Sequence, residues 1–291
     1  MDSVLVTGSE GFIGGALSAG LKAAGYDVIP FDLRLGQDVT DEALLEAALA
    51  GADGVVHLGS PSSALMYVEG HEQAWSQSVA GLTNILKNFR GRVVFPSTCT
   101  LYGDSRQPVT EGRQLPHPPN AYAAAKVECE RLCFLYNLKG ADVKVLRIFT
   151  GYGPGEWYKG AYSSPLTRFL RYIAEGERPV VYGDGRQIRD FVFVDDIVAA
   201  LIRALETDSE ECLFNIGTGR GSSFLEVINL LNREVGARAE PYFVAPPAGY
   251  VASVIADVGL ARRELGYAPE VRLEEGVRRT VHELRTKFGV L

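Results

Sequence analysis

Tyr122 and Lys126 stand four residues apart in Asn120-Ala121-Tyr122-Ala123-Ala124-Ala125-Lys126, so a helix over this stretch puts both on one face. A free phenol titrates near ~10, and accepting a proton near neutrality requires a shift of about 3 units, or roughly 4 kcal/mol. An adjacent ammonium is one source of that shift, and a positively charged nicotinamide ring is another. Such a Tyr/Lys pair alone is common on solvated helices. Its position after the run Phe95-Pro96-Ser97-Thr98-Cys99-Thr100-Leu101-Tyr102-Gly103 changes its meaning, because that run brings hydroxyls to the C-terminal edge of a strand. A Ser or Thr there can hydrogen-bond a reacting alcohol. A polar strand end that makes turns explains one or two of the hydroxyls, but not their combination with a phenol and an ammonium.

The start of the chain carries a second signal. In Val4-Leu5-Val6-Thr7-Gly8-Ser9-Glu10-Gly11-Phe12-Ile13-Gly14 three glycines fall where a buried strand turns into a helix. Gly8 permits the tight turn, Gly11 lets backbone approach a pyrophosphate, and Gly14 lets helix and strand pack closely, with the anion at the helix N-terminus. A second strand ends on Asp32, about 20 residues beyond the fingerprint, where a ribose-binding carboxylate belongs. Asp32 favours NAD by accepting from a ribose 2′-hydroxyl and repelling a 2′-phosphate. Arg34, two residues on, is able to neutralise such a phosphate and leaves NADP open.

These groups need a sheet beneath them. Strand patterns near 3–7, 27–31, 53–58, 92–97 and 143–148 alternate with helical ones, which predicts an α/β fold, a doubly wound parallel (Rossmann) sheet with its crevice at the strand C-termini. After Arg147 the segment 151–164, rich in Gly, Tyr and Ser, reads as a substrate loop. A helix over 165–174, an apolar run 179–182, a strand 191–194 feeding a helix capped near Asp195, and helices near 222–235 and 274–288 follow. Residues 1–150 and 189–216 are expected to form the NAD-binding domain. Residues 151–188 and 217–291 then form a smaller, interwoven C-terminal substrate domain.

The bulk properties narrow the partners. The 291 residues, 46% apolar and 22% charged, suit a soluble globular chain, and a net charge of −7 without a basic block gives no footprint for nucleic acid or an anionic membrane. No apolar stretch is long enough to span a bilayer and the N-terminus runs straight into a strand, so a cytoplasmic location is expected. Cys99, Cys129, Cys133 and Cys212 fall into no metal-ligand or disulfide spacing. They are expected to be apolar thiols and no metal is expected.

Taken together, the chain resembles the NAD-dependent epimerase/dehydratase family of extended short-chain dehydrogenase/reductases, which modify nucleotide sugars. The likeness covers nearly the whole length. It rests on Gly8/Gly11/Gly14, Asp38-Val39, His57-Leu58, Ser97-Thr98, Tyr122 with Lys126, Arg147-Ile148-Phe149 before Tyr152-Gly153-Pro154, Arg189-Asp190-Phe191 with Val194-Asp195-Asp196, and Asn215-Ile216-Gly217-Thr218-Gly219. The resemblance implies that Gly8, Gly11, Phe12, Ile13, Gly14, Asp32 and Arg34 hold NAD, that Asp38 and Val39 contact the adenine, that Leu58, Gly59, Ser60 and Ser97 line the cofactor, and that Phe149 packs beside the nicotinamide. It makes Thr98 the catalytic hydroxyl, Tyr122 the base or acid, and Lys126 the holder of the nicotinamide ribose that lowers the phenol pKa. Cys99, Thr150 and Arg189 fall to the substrate, Arg189 on a phosphate.

Within that family, similar 4,6-dehydratases place Asp-Glu after the catalytic hydroxyl and similar decarboxylases keep the Glu, whereas this chain has Cys99-Thr100. Elimination and decarboxylation lose their obvious general acid, which favours a C4 epimerase of a nucleotide sugar, with dehydration through a tuned Cys99 as the alternative. Two departures concern the substrate. Thr150 stands where Asn is usual, and Ala245-Pro246-Pro247-Ala248-Gly249-Tyr250 replaces a run carrying a second phosphate-binding arginine, a loss of about 1.5 to 3 kcal/mol unless an arginine such as Arg220 substitutes. A non-catalytic NAD(H)-binding protein is a different class, but such proteins lose the Tyr or the Lys. Apolar residues on two sides of the helices near 72–90 and 120–137 point to a homodimer.

Overall fold

A computed structural model of the protein describes residues 1–248 and 250–289; Gly249 of the departing run and the last two residues of the expected second domain lie outside the described residues. The first half runs β1 (Ser3–Thr7), α1 (Phe12–Ala23), β2 (Asp27–Phe31), α2 (Glu42–Leu49), β3 (Gly54–His57), α3 (Ala64–Glu69), α4 (His71–Asn88), β4 (Arg92–Thr98), α5 (Ala121–Leu138) and β5 (Asp142–Ile148). The second runs β6 (Thr150–Tyr152), α6 (Pro165–Ala174), β7 (Val180–Tyr182), β8 (Ile188–Phe193), α7 (Val194–Glu206), β9 (Leu213–Ile216), β10 (Gly221–Ser223), α8 (Phe224–Val235), β11 (Tyr242–Val244), α9 (Gly259–Leu265) and α10 (Leu273–Glu283).

Six strands pair in parallel in the order β2-β1-β3-β4-β5-β9. Val4, Leu5 and Val6 are buried on both sides because helices cover both faces. Leu17 and Leu21 of α1, Leu201 of α7 and Leu265 of α9 cover one face, while Leu45 of α2, Leu82 and Ile85 of α4, and Cys129 and Cys133 of α5 cover the other. The chain leaves β1 for β2 on one side and returns to β3 on the other, so the switch point, and with it the ligand crevice, lies between β1 and β3. The doubly wound parallel sheet expected from the sequence is therefore present.

A second body is built on Leu166, Phe169 and Leu170 of α6, Phe224 and Leu231 of α8 and Val277 and Val281 of α10, with two small sheets, β10-β8-β6 and β11-β7. Three local expectations change. Arg189 lies on β8, which pairs with β6 and β10 rather than with the large sheet. The helix expected to cap at Asp195 starts at Val194 with no side-chain cap, because the chain passes straight from β8 into α7. The last helix ends at Glu283, and Leu284–Phe288 form a wider π turn closed by Gly289 at φ 59°. Among the described residues no helix is long and apolar enough to cross a membrane.

Candidate active site

An open cleft of about 520 Å³ lies over the C-terminal ends of β1, β2 and β3. Gly8, Gly11, Phe12, Ile13, Gly14, Asp32, Arg34, Val39, Leu58, Gly59 and Ser60 all line it. The glycines are required by space. Gly8 sits at φ 71°, and a Cβ there would lie 2.6 Å from the Leu58 carbonyl oxygen; one on Gly14 would lie 1.9 Å from the Gly8 carbonyl oxygen. Gly11 caps α1 with no side-chain acceptor, so the first amides of the helix face the cleft with their positive end. The Asp32 carboxylate is fixed at the rim by N–H donors from Arg34 (2.8 Å) and Glu10 (3.0 Å). This cradle fits a dinucleotide: an anion site on a helix N-terminus with an oriented carboxylate at ribose distance along the chain.

Three of the residues expected at the cofactor have partners within the chain. Ser97 donates to Glu130 Oε1 at 2.5 Å, and Glu130 also accepts from Arg147 Nε (2.9 Å) and Nη2 (2.6 Å), so Ser97 belongs to a buried ionic network that fixes α5 on the sheet. Phe149 is buried against Tyr102, ring centroids 6.3 Å apart, and is a core residue. Asp38 Oδ1 accepts from the Thr40 amide and hydroxyl at 2.9 and 2.8 Å, closing a local turn, while its neighbour Val39 lines the cleft.

Asn120 caps α5 by accepting from the Ala123 amide at 2.9 Å, which sets Tyr122 in the first turn and Lys126 one turn further. Lys126 is 5% exposed; its ammonium donates to Ser60 Oγ at 3.1 Å and to the Pro96 carbonyl at 3.0 Å, above the Phe95 ring. Thr98 ends β4, and its hydroxyl accepts from the Thr100 amide at 3.2 Å. Burial pushes the Tyr122 phenol well above its ordinary value, and the Thr98 hydroxyl pulls it back. Lys126, expected to lower the phenol pKa, has its ammonium engaged elsewhere. Lys126 is turned to Ser60 and Pro96, and burial holds its own pKa down.

Cys99 is buried, and that burial pushes its thiol up to about 12, with Arg189 acting in the opposite sense. Arg189 lies between the Phe224 and Tyr250 rings, 5.6 Å from each, and donates to the carbonyls of Ile188, Val251 and Ala252. Its fork is thus held by the two residues that directly follow the run standing where the second arginine was expected. Arg220 is exposed on the turn before β10, and Thr150 opens β6 half-buried. The loop expected to serve substrate proves to face the cofactor cleft, with Tyr158, Lys159 and Tyr162 in its lining. Its Gly/Tyr composition marked it as functional, but nothing in the spacing told which ligand it faces. Sequence reasoning also missed Asp190, fully buried, whose carboxylate gathers the Thr218, Gly219 and Ala256 amides and so holds β8 against the 217–219 turn.

The sequence profile of the NAD dependent epimerase/dehydratase family matches residues 4–217. The chain belongs to this family. Among its epimerase/dehydratase relatives, a putative UDP-glucose 4-epimerase of Methanocaldococcus jannaschii is 31% identical, covering 97% of this chain and 98% of the relative. The solved UDP-glucose 4-epimerase of Thermotoga maritima, with UDP-glucose, superposes with a TM-score of 0.91 at 31% identity over 98% of this chain and 99% of that one. The UDP-glucuronic acid 4-epimerase of Bacillus cereus, in complex with UDP-glucuronic acid and NAD, gives 0.87 at 26% identity over 97% and 99%.

Proposed function

We propose that this chain is an NAD-dependent epimerase that inverts C4 of a UDP-activated sugar through a transient 4-ketone. The observation that carries this reading is the link from the three-glycine cradle to the Tyr/Lys helix: Ser60, in the cleft lining, accepts from Lys126, which stands one turn from Tyr122, itself hydrogen-bonded to Thr98, and Thr98 is followed by Cys99 and Thr100 where a dehydrating enzyme needs carboxylates.

NAD, when bound, supplies the hydride acceptor and a positive charge beside the phenol. Gly8, Gly11 and Gly14 bring backbone to its pyrophosphate, Asp32 takes the adenosine ribose, and Lys126 takes the nicotinamide ribose. Tyr122 would accept the proton of the sugar C4 hydroxyl, and Thr98 would steady that oxygen by hydrogen bonding. The same phenol would return the proton to the C4 oxygen after the 4-ketone has turned over in the pocket. Cys99, kept as a protonated, weakly acidic thiol by its burial, is a poor general acid for an elimination at neutral pH. This reading assigns the diphosphate to Arg189, which would have to leave the 251–252 carbonyls to meet it.

The division at 1–150 and 189–216 against 151–188 and 217–291, a homodimer and a cytoplasmic location belong to the same proposal. The helices α4 and α5 bury one side in the core and present Trp75, Val127 and the 44% exposed Leu135 on the other, beside a groove of about 1100 Å³. All four cysteines are free thiols, as a reducing compartment requires. Incubation with NAD and a panel of UDP-sugars, read by the C4 configuration of the product, tests the reading. An epimer without net NADH supports it, and loss of water or CO₂, or no turnover on any sugar, overturns it.

A further inference from the structure

Residues 157–162, between β6 and α6, cross the mouth of the dinucleotide cleft, and their two ends are pinned to one buried carboxylate. Glu156 is 2% exposed and accepts from the Ser164 amide (2.6 Å), the Ser164 hydroxyl (2.8 Å) and the Thr167 hydroxyl (2.5 Å). Gly160, at φ 54°, kinks the chain between these pins. The tip of the segment reaches the opposite wall by three side-chain contacts. The Arg34 guanidinium lies 4.4 Å from the Tyr158 ring centroid, Lys159 Nζ donates to Ser62 Oγ at 3.2 Å, and the Tyr162 hydroxyl donates to the Glu69 carboxylate.

The base and the tip differ in kind. Glu156 holds its donors away from water, whereas Arg34, Ser62 and Glu69 are exposed and Tyr158 is 50% exposed, so the tip contacts are individually weak. A rigid base with a weakly held tip opens without unfolding. The tip also lies over the anion site, since a Cβ on Gly11 would sit 3.8 Å from the Tyr158 hydroxyl. Arg34 is in turn steadied by donating to the Glu10 carbonyl at 2.8 Å, in the loop whose amide fixes Asp32.

We propose that residues 157–162 are a cofactor clasp, with the Arg34–Tyr158 stack as its fastening, that must open before NAD enters or leaves. The inference rests on the epimerase reading and adds a role to it. An epimerase returns the hydride to the carbon that gave it, so a cofactor lost in mid-cycle turns an isomerisation into a net oxidation. A clasp that outlasts the ketone prevents this.

The test is the rate at which NAD-loaded protein exchanges its cofactor with labelled NAD. Tyr158→Ala and Arg34→Met are each expected to raise the exit rate about two- to fivefold, and the double variant no further than either alone, because both remove one contact. Free NADH released during turnover rises in the same variants. Tyr158→Leu, which keeps bulk but not the aromatic face, gives the same result if Tyr158→Ala folds poorly. Exit at the wild-type rate, or single effects that multiply in the double variant, overturns the clasp and leaves the epimerase reading standing. Wild-type protein that retains no NAD overturns both.

Discussion

Lys126 Nζ lies 3.1 Å from Ser60 Oγ, which ties the helix that carries Tyr122 to the strand end that lines the cofactor cleft. Its second bond, to Pro96, ties the same helix to β4. One buried ammonium thus aligns the Tyr122 helix with both the cofactor cleft and the β4 end that carries Thr98. Lys126→Met is expected to weaken NAD about 10- to 100-fold, the size of one charge-assisted hydrogen bond of about 1.5 to 3 kcal/mol, and to lower turnover with it. Calorimetric titration with NAD measures this, and wild-type affinity would show that the ammonium serves only the fold.

Tyr122→Phe keeps the ring against Tyr67, 5.7 Å between centroids, and removes only the hydroxyl. Turnover should fall by about 10² to 10⁴ while the NAD dissociation constant stays put. Steady-state kinetics paired with an NAD titration separates the two, and a variant that still turns over at the wild-type rate contradicts the assigned proton path.

The Glu130–Arg147 pair holds α5 on the sheet from a site where both residues are almost wholly buried. Glu130→Ala leaves Arg147 and Ser97 without their acceptor and is expected to cost about 3 to 5 kcal/mol, because one charge is then buried alone. Urea unfolding reads it directly. A loss below about 1 kcal/mol would mean that water reaches the pair.

Acid should loosen the fold through His57. Burial, with Lys126 nearby, holds this imidazole down to about 3, while the unfolded chain titrates it at its ordinary 6.5. With the folded value depressed, the unfolded state binds the extra proton first. The contribution to stability is complete above pH 6.5 and lost as pH falls toward 3, by about 1.4 kcal/mol per pH unit. Unfolding free energies of wild type and His57→Asn, measured across that window, should converge as the pH drops. Parallel curves would show that His57 is not the group responsible.

Much of this arrangement was legible because backbone geometry dictates residue type. Gly8 and Gly14 have no space for a side chain, so the cradle reads directly from three letters, and the βα alternation reads from strands buried on both faces. The β9 strand was harder, since four residues with Asn215 among them carry little periodicity. The intrachain partners of Ser97, Asp38 and Phe149 were not legible, for a common reason. Motif position puts a residue near a site, but whether its side chain turns to Glu130, to Thr40 or to Tyr102 depends on tertiary neighbours. The phenol's pKa is likewise a property of burial, which no spacing reports.

The measurement that bears most directly on the central claim is turnover of a UDP-sugar carrying deuterium at C4, with NAD in stoichiometric amount and the product read by mass and NMR. The account predicts inverted configuration at C4 with the deuterium retained on that carbon and no net NADH. Inversion with the label lost to water, or a product that has kept its C4 configuration and lost water or CO₂, would contradict it.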